Sequence, residues 1–301
     1  MKQKQVKQKQ KQKKFLGGGK GLILIIAVIL ILSIGAFFAK NAFAELSSIW
    51  TMAFKKLPFM TNPAKCPSDM VWVDAGKFCI DKYEASNGGG SYYVDMNGNG
   101  NVTDTAVNVY GDGTTFNETT ATAKAVSVAG ANPWVSINQV DAKAACMAAG
   151  KHLATNYEML LAAKGTPDIN LTDCNINNVH TPATTGQYTN CVSDAGAYDL
   201  IGNVWEWTDN VINNGLHPAT GIALPLTNYI TGLDVYGLPT STSGSSTADY
   251  NYDKFWITVT GYRGFLRGGG WADTSDAGLF ALHLSFAPST ASGSFGFRCA
   301  K

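Results

Sequence analysis

Residues 199–207 read DLIGNVWEW, and they indicate the architecture of this 301-residue chain better than any other segment. We expect Trp205 and Trp207 to be core residues. Two further segments look like parts of a rigid scaffold: RGGGW at residues 267–271 and GFRC at residues 296–299. The residues between these two scaffold segments are different in character, because they are small and chemically mixed.

Twelve positions between the two scaffold segments look selected for variety rather than for packing. They are Ala272, Asp273, Thr274, Asp276, His283, Ser285, Phe286, Thr290, Ser292, Gly293, Ser294 and Phe295. Each of these residue types can be encoded by an AAY codon whose two adenines have been replaced. Lys, Gln, Glu, Met and Trp cannot be reached in that way, and none of them occurs between Ala272 and Phe295. The pattern predicts a variable region over residues 271–299 that was diversified by adenine-specific mutagenesis. The alternative is a small-residue loop of ordinary origin.

The N-terminal residues carry the signals of a membrane anchor. Eight lysines fall within residues 1–20, and no acidic residue precedes Glu45. Residues 21–39 are apolar and uncharged, and a stretch of that length can span the hydrocarbon core of a bilayer as a helix. Because lysines precede this stretch, the N-terminus is predicted to be cytoplasmic and the C-terminal part extracellular, on a single-pass protein of the cell membrane.

We therefore predict a basic cytoplasmic tail at residues 1–20, a transmembrane signal anchor at 21–39 and a juxtamembrane stalk at 40–65. One alternative is a long signal peptide that is cleaved after Ala44, since the preceding residues fit the small-x-small rule. Another is a prepilin-like leader beginning at Gly21.

All six cysteines lie beyond the apolar stretch, at positions 66, 79, 146, 174, 191 and 299. An even number of cysteines in an exported domain indicates a disulfide framework, for which fifteen pairings are possible. Cys66 and Cys79 flank a predicted hairpin, and Cys174 and Cys191 lie in one small polar loop, so each pair could form a local disulfide. The chain has no Cys-x-x-Cys motif of the kind found in zinc sites.

Composition favours a loop-rich α+β domain over residues 66–301. Residues 70–73 and 76–81 read as two strands joined by a tight turn. Two helices are predicted from capping boxes, one formed by Ser136 and Gln139 with a stop at Gly150, the other by Thr155 and Glu158 with a stop at Gly165.

Two polar segments, residues 87–130 and 210–262, interrupt this pattern and are predicted to be long loops. Residues 95–100 match the first half of a calcium loop, but Ala106 stands where the loop requires glutamate, which favours a solvated loop.

Several segments together resemble the formylglycine-generating-enzyme (sulfatase-modifying factor) domain, a variant of the C-type lectin fold. They are residues 70–81, 141–158, 196–207, 267–271 and 296–299. The chain is most similar to the variable proteins of diversity-generating retroelements, whose last strands and loops carry adenine-mutagenised codons. Residues 277–282 and 287–289 alternate with the varied positions as the constant framework of that group does. The resemblance implies a C-type lectin fold of the formylglycine-generating-enzyme type for residues 66–301.

The resemblance argues against catalysis. Formylglycine-generating enzymes use a cysteine pair just after their Arg-Gly-Gly element, and thiolates supply the nucleophile or metal ligand in such chemistry. The matching positions here are Asp273 and Gly278. Other relatives are non-haem iron enzymes, which need clustered histidine and carboxylate ligands. The four histidines of this chain are scattered along it, at His152, His180, His217 and His283. We expect no enzymatic activity and no catalytic cofactor.

The resemblance also implies a structural calcium site and a disulfide. The family's calcium ligands match Asp199, Gly202, Val204 and Glu206, which offer carboxylate and main-chain oxygens. The alternative is that Asp199 and Glu206 hold the loop through hydrogen bonds. C-type lectin folds commonly tie the first helix to the last strand, which here would pair Cys146 with Cys299. Arg267 and Arg298 are expected to brace the fold.

These observations predict a membrane-anchored cell-surface binding protein whose residues 272–295 form a diversified ligand-binding surface. Its ligand would be an extracellular protein or glycan, because the exported domain has no basic patch for nucleic acid. The alternatives are an enzyme of the sulfatase-modifying-factor class with an unrecognised active site and a structural surface module without variability.

Overall fold

The structure is a computed structural model that describes residues 66–301, with gaps at 98, 100, 102–106, 109–114, 117–121, 169 and 178–180. The predicted cytoplasmic tail, membrane span and stalk lie outside the described residues, as does His180. Within the described ranges, none of the helices has the length and apolar character required to cross a membrane. The chain divides into two units, 1–62 and 63–301, and only the second is discussed below.

The described residues form two α-helices and a larger number of short strands. The helices are α1 (Gln139–Ala148) and α2 (Asn156–Ala162). The strands are β1 (Met70–Val73), β2 (Phe78–Asp81), β3 (Ala85–Asn87), β4 (Val107–Asn108), β5 (Thr115–Phe116), β6 (Ala125–Ser127), β7 (His152–Leu153), β8 (Trp205–Asn213), β9 (Asn228–Leu233), β10 (Pro239–Ser243), β11 (Lys254–Ile257), β12 (Tyr262–Arg267), β13 (Leu282–Leu284), β14 (Phe295–Phe297) and β15 (Cys299–Ala300).

Most of the strands belong to two sheets. The larger sheet has the order β10-β9-β11-β13-β12-β8-β14, and the smaller has the order β1-β2-β15-β7. Two hairpin-like pairs, β3–β6 and β4–β5, stand apart from them. Most pairings are antiparallel, but β11–β13 and β8–β14 are parallel. These parallel pairings place the two strands of the varied segment, β13 and β14, directly beside constant strands.

The first helix begins differently from the prediction. Its N-cap is Asn138, whose side chain accepts a hydrogen bond from the Asp141 N–H, 2.9 Å away. The predicted capping box between Ser136 and Gln139 is therefore wrong. The Gln139 side chain is fully buried and donates to the carbonyl oxygens of Thr208 and Asn210 instead. It serves as a tertiary link between α1 and β8, which a local capping pattern cannot reveal.

The second helix follows the prediction. The Thr155 hydroxyl accepts a hydrogen bond from the Glu158 N–H, and the Glu158 carboxylate accepts one from the Thr155 N–H at 2.8 Å. This reciprocal arrangement satisfies two backbone donors that would otherwise be unpaired at the helix start. Gly150 and Gly165, the predicted stops, both adopt positive φ after their helices, which is a conformation that glycine adopts without steric cost.

The polar segment 210–262 is not the long loop that was predicted. Strands β9, β10 and β11 all lie within it, and β8 extends into it as far as Asn213. These strands add one side of the larger sheet and cover a separate part of the core around Phe255, Phe265 and Ile230. The segment's high Gly, Ser and Thr content conceals strands whose outward faces are polar.

Three disulfides fasten the domain, joining Cys66 to Cys79, Cys146 to Cys299 and Cys174 to Cys191. These are the pairings expected from the sequence and the resemblance. The Cys146–Cys299 bridge is fully buried in the core between α1 and the end of the chain. It lies beside Trp207, a core residue as predicted, whose indole N–H donates to the Ile137 carbonyl at 3.1 Å.

Candidate functional site

Seven of the twelve positions that the sequence predicts to be diversified, called the varied positions below, line a single pocket of about 440 Å³. They are Asp273, His283, Phe286, Thr290, Ser292, Ser294 and Phe295. The wall is completed by Trp205, Trp256 and Ala291. A pocket of this size falls in the range that binds small ligands or single side chains of a partner.

The two parallel strand pairs build the pocket. His283 on β13 lies opposite Trp256 on β11. Phe295, the first residue of β14, lies opposite Trp205, the first residue of β8. His283 and Phe295 are thereby each placed next to a constant tryptophan.

The aromatic rings pack against one another as a continuous wall. The rings of Trp256 and His283 are stacked, with centroids 5.2 Å apart and planes 11° from parallel. The Trp205 ring meets both of them edge-on at 5.5 Å. Phe286 continues the wall, with its centroid 4.8 Å from those of His283 and Phe295. Such contacts between rings stabilise the arrangement beyond the burial of apolar area.

Burial makes His283 a neutral ring at physiological pH. It lowers the pKa of the imidazole to about 4, because a charged ring would lose its hydration there. His283 therefore contributes ring surface and a hydrogen-bonding nitrogen, but no charge.

The remaining lining of the pocket is polar. It consists of the Asp273 carboxyl group and the hydroxyls of Thr290, Ser292 and Ser294. The hydroxyl oxygens of Ser292 and Ser294 are 2.9 Å apart. The Asp273 carboxylate accepts a hydrogen bond from the Gly270 N–H at 2.7 Å. The pocket thus combines an aromatic wall with small hydrogen-bonding groups.

The other five varied positions lie outside the pocket. Ala272, Thr274 and Gly293 are exposed. Asp276 forms an ion pair with Lys254 at 3.1 Å. Ser285 is half-buried, and its N–H donates to the His283 imidazole at 3.3 Å. The structure therefore concentrates part of the predicted surface in one cavity and leaves the rest around it.

Two tryptophans of the site were not predicted as site residues. Trp205 was expected in the core, and it is both buried and part of the pocket wall. Trp256 lies in the segment interpreted as a loop. The adjacent aromatic residues Phe255 and Trp256 are the one local sequence feature that could have indicated a strand there. No sequence signal indicates that Trp256 pairs with His283.

The constant run 277–282 lies beneath the varied positions and is held by buried charged groups. The Leu279 N–H donates to the Asp168 carboxylate at 3.0 Å, and the Phe280 N–H donates to the Asp253 carboxylate at 2.6 Å. Arg267, fully buried as a brace of the fold, donates to the Phe280 carbonyl at 3.0 Å.

Two glycines within the varied segment should respond very differently to substitution by alanine. A Cβ atom at Gly278 would collide with carboxyl oxygens of Asp168 and Asp253, whereas one at Gly293 would have nothing within 4 Å. We expect Gly278→Ala to destabilise the domain by about 1–3 kcal/mol through overpacking. Gly293→Ala should change the stability by less than about 0.5 kcal/mol. Urea denaturation of both variants tests this, and equal midpoints would contradict the division into buried framework and varied surface.

Asp168 and Asp253 form an acidic pair beneath the constant run. Within the described residues, one carboxyl oxygen of each is buried without a hydrogen-bond partner. Burial raises the pKa of Asp168 to about 6. Burial and the negative charge of Asp168 raise the pKa of Asp253 well above its usual range.

Replacing Asp168 with asparagine should therefore change the pH dependence of stability. The folded-state pKa of about 6 exceeds the ordinary value of 3.8, so the folded domain holds this proton more tightly than the unfolded chain does. Proton binding by Asp168 contributes roughly 3 kcal/mol to the free energy of unfolding at pH values below 3.8, its pKa in the unfolded chain. This contribution is lost as the pH rises through the folded-state pKa of about 6. Asp168→Asn retains an acceptor for Leu279 and offers a donor to Asp253, so we expect it to be more stable than the parent at pH 7.5.

Denaturation curves of the parent and Asp168→Asn at pH 4.5 and pH 7.5 measure this effect. The difference between the two proteins removes the contribution of groups such as His283 and reports the loss of the Asp168 charge together with its effect on Asp253. The same pH dependence in both proteins would refute the assignment.

The residues matching the family's calcium ligands are engaged in hydrogen bonds. Both carboxylate oxygens of Glu206 bind the buried Arg298 guanidinium, at 2.5 and 2.7 Å. An Asp199 carboxylate oxygen accepts from the Gly186 N–H at 2.6 Å. The N–H groups of Gly202 and Val204 donate to the Gly268 carbonyl and to Glu84.

This donor set does not fit a calcium ion, because the cationic partner of Glu206 is Arg298. In the part of the chain that the structure describes, no group of three or more His, Cys, Asp or Glu residues is arranged to hold a metal. The arrangement matches the alternative in which the carboxylates hold the loop through hydrogen bonds.

We accordingly expect chelation to leave the stability unchanged. A calcium ion bound at one hundred times its Kd would raise the melting temperature by roughly 5–10 °C. Melting curves in EDTA and in excess calcium should instead agree within about 1 °C. A clear rise with calcium, abolished in Asp199→Asn, would establish a calcium site at this loop.

The positions that would carry catalysis in the resembled enzymes are used differently here. Asp273 lies in the pocket and Gly278 in the buried run. All six cysteines are disulfide-bonded, so no thiol is free to act as a nucleophile. His152 pairs with Glu158 at 3.0 Å and His217 with Asp234 at 2.7 Å, each away from His283 in the pocket wall.

The chain matches one family model and several solved structures. The sulfatase-modifying factor enzyme 1-like domain matches residues 57–301. Among solved structures, the chain is similar to the Major Tropism Determinant P3c variant, with 17% identity, 78% of this chain and 52% of that chain covered, and a TM-score of 0.42. It is also similar to Treponema denticola variable protein 1, with 16% identity, 78% and 99% covered, and a TM-score of 0.35. The match to CarF has 13% identity, 74% and 85% covered, and a TM-score of 0.38.

The chain thus spans about half the length of the Major Tropism Determinant structure that it matches. No curated protein matches its sequence.

Proposed function

The chain belongs to the family of sulfatase-modifying factor enzyme 1-like domains, and within it we propose that this protein is a binding protein whose ligand occupies the pocket of the varied segment. The observation that carries the proposal is the division of residues 272–295 into two sets. Seven positions compatible with adenine mutagenesis converge on one pocket, while the constant run 277–282 between them is held in the framework.

This division would let the ligand surface change without loss of the fold. The framework residues make the hydrogen bonds to Arg267, Asp168 and Asp253, whereas the pocket hydroxyls of Ser292 and Ser294 bond to each other. Mixed aromatic and small polar side chains are also the composition of antibody binding loops, in which rings supply contact area and small polar groups adapt.

The proposal does not involve catalysis. The cysteine pair of formylglycine-generating enzymes has no counterpart, and every cysteine of the chain is committed to a disulfide. The proposal requires no calcium ion, and the Glu206 carboxylate already has Arg298 as its cationic partner.

We place the binding domain outside the cell, anchored to the membrane by residues 21–39. The uncharged apolar run behind a lysine-rich tail supports this placement. The three disulfides support it as well, because disulfides persist in oxidising compartments. The ligand is then an extracellular molecule, a protein or a glycan.

The DNA around the gene tests the diversification directly. We expect a near-copy of the codons for residues 267–299 close to the gene, together with a reverse-transcriptase gene. The copy should differ from the gene only at adenines, at codons of the varied positions and at none of residues 277–282. If the locus has no such copy, the residues that line the pocket are not diversified. That result would favour the structural-module or enzyme alternatives.

A further inference from the structure

The pocket contains a carboxyl group, that of Asp273, which has no ion-pair partner among the described residues and whose charge is only partly offset by Lys254. Among the residues that line it, Asp273 is the sole acid and no lysine or arginine is present. Its hydrogen-bond partners are the backbone N–H of Gly270 and the Trp205 side chain, both of them neutral. Burial nevertheless raises the pKa of Asp273 above its ordinary value, which shows that these neutral donors do not fully replace water around the charge.

Lys254, whose positive charge lowers the pKa of Asp273, is paired with another carboxylate. Lys254 pairs with Asp276 at 3.1 Å, and its ammonium group lies over the Trp256 ring, 5.3 Å from the centroid. Within the described part of the chain, Asp273 forms no ion pair. A carboxylate that is largely removed from water is normally paired with a positive charge, so a cationic ligand would gain more here than a neutral one.

The aromatic wall also disfavours a ligand that binds by stacking. The π faces of Trp256 are taken up by His283 and by the Lys254 ammonium. Trp205 is only 5% exposed. A sugar ring would need a free flat face, whereas an ammonium or guanidinium needs acceptor oxygens. The hydroxyls of Thr290, Ser292 and Ser294 provide such oxygens in the pocket lining.

We propose that the group bound in this pocket is a basic side chain of a protein partner, a lysine ammonium or an arginine guanidinium, paired with the Asp273 carboxylate. The surrounding hydroxyls accept its remaining N–H bonds. The neutral His283 ring does not repel the cation, since burial holds its pKa at about 4. The inference rests on the proposed function and specifies its ligand. Because Asp273 is one of the positions predicted to vary, the preference for a cation applies to this sequence. Variants with another residue at position 273 would not share it.

Titration of the full-length chain with small probes tests the inference. The probes are N-acetyl-arginine amide and N-acetyl-lysine amide, with N-acetyl-citrulline amide and methyl mannoside as neutral comparisons. Binding is followed by the resonances of the pocket tryptophans in an NMR spectrum. We expect the cationic probes to bind at least tenfold more tightly than citrulline, an advantage that Asp273→Asn should remove. Asp74→Asn, which removes an exposed carboxylate from the β1–β2 turn, is the charge-matched control and should retain the full advantage.

The outcomes separate this inference from the proposed function. If citrulline or the mannoside binds as well as arginine, and Phe286→Ala abolishes that binding, the pocket is a binding site but the cation preference is wrong. The preference is also wrong if Asp273→Asn binds arginine unchanged. If Phe286→Ala alters the binding of none of the probes, the pocket is not the ligand site and the proposed function falls with the inference.

Discussion

Replacing Arg298 with methionine should destabilise the domain by about 3–5 kcal/mol, since it leaves a buried carboxylate without its partner. The Arg298 side chain is fully buried and binds both oxygens of Glu206. It also donates to the carbonyl oxygens of Tyr198 and Asp81. One guanidinium thereby connects the loop before β8 to both sheets.

Arg298 stabilises more than its ion pair with Glu206, because other buried carboxyl groups lie near its guanidinium. Burial, together with the negative charges of Asp199 and Glu206, raises the pKa of Glu84 well above its usual range. The charge of Arg298 opposes that rise. Without the guanidinium, the carboxyl groups of Glu84, Asp199 and Glu206 would remain in the interior with no cation beside them. In Arg298→Met, these carboxyl groups would have to bind protons to become neutral. Because protonation is easier at low pH, the variant should lose less stability relative to the parent at pH 5 than at pH 7.5.

A double-mutant cycle measures the pair. We expect Glu206→Gln combined with Arg298→Met to be more stable than Arg298→Met alone, because the unpaired charge is gone. Lys77→Met removes one partner of the exposed pair with Asp74 and should leave the unfolding midpoint unchanged. If Arg298→Met unfolds at the same denaturant concentration as the parent, the buried pair does not hold the fold.

Removing the Cys146–Cys299 disulfide should cost more than removing either of the other two. Its cysteines are separated by 153 residues, compared with 13 for Cys66–Cys79 and 17 for Cys174–Cys191. A cross-link restricts the unfolded chain more as the loop that it closes becomes longer. On this basis we expect a loss of about 5 kcal/mol for the double alanine variant at 146 and 299, and of about 3 kcal/mol at 66 and 79.

The functional meaning of this difference lies in the position of the long-range bridge. It joins α1 to β15, the strand that follows the varied segment, so the C-terminal end of that segment remains attached when its side chains change. Denaturation midpoints of the two double variants provide the test. Equal losses would show that packing around the sulfur atoms, rather than the length of the closed loop, decides the contribution.

Much of the local structure was predicted correctly from short-range patterns. The hairpin of β1 and β2 follows from two apolar strands around a turn, and α2 follows from the Thr155–Glu158 capping box. The three disulfides follow from chain proximity and from the family resemblance. The capping box assigned to Gln139 failed because its side chain is used by β8, about seventy residues further on.

The candidate site was predicted only in part. Codon-compatible residue types predicted which positions vary, because that signal depends only on the identity of each residue. They could not indicate that seven positions face one pocket while Ala272, Thr274, Asp276, Ser285 and Gly293 lie outside it. Nor could they show that Asp273 lacks an ion-pair partner within the described residues, which depends on where Lys254 lies.

The sequence determined the features that depend on neighbours along the chain: the hairpin turn, the capped second helix, the tryptophans of residues 199–207 and the alternation of varied with constant positions. The tertiary structure alone decided which distant residues meet. Trp256 reaches His283 through a parallel strand pairing, and Arg298 reaches Glu206 from the other side of the varied segment. The physical reason is that local patterns record backbone preferences over a few residues, whereas parallel pairing and buried charge pairs are selected by the packing of the whole domain.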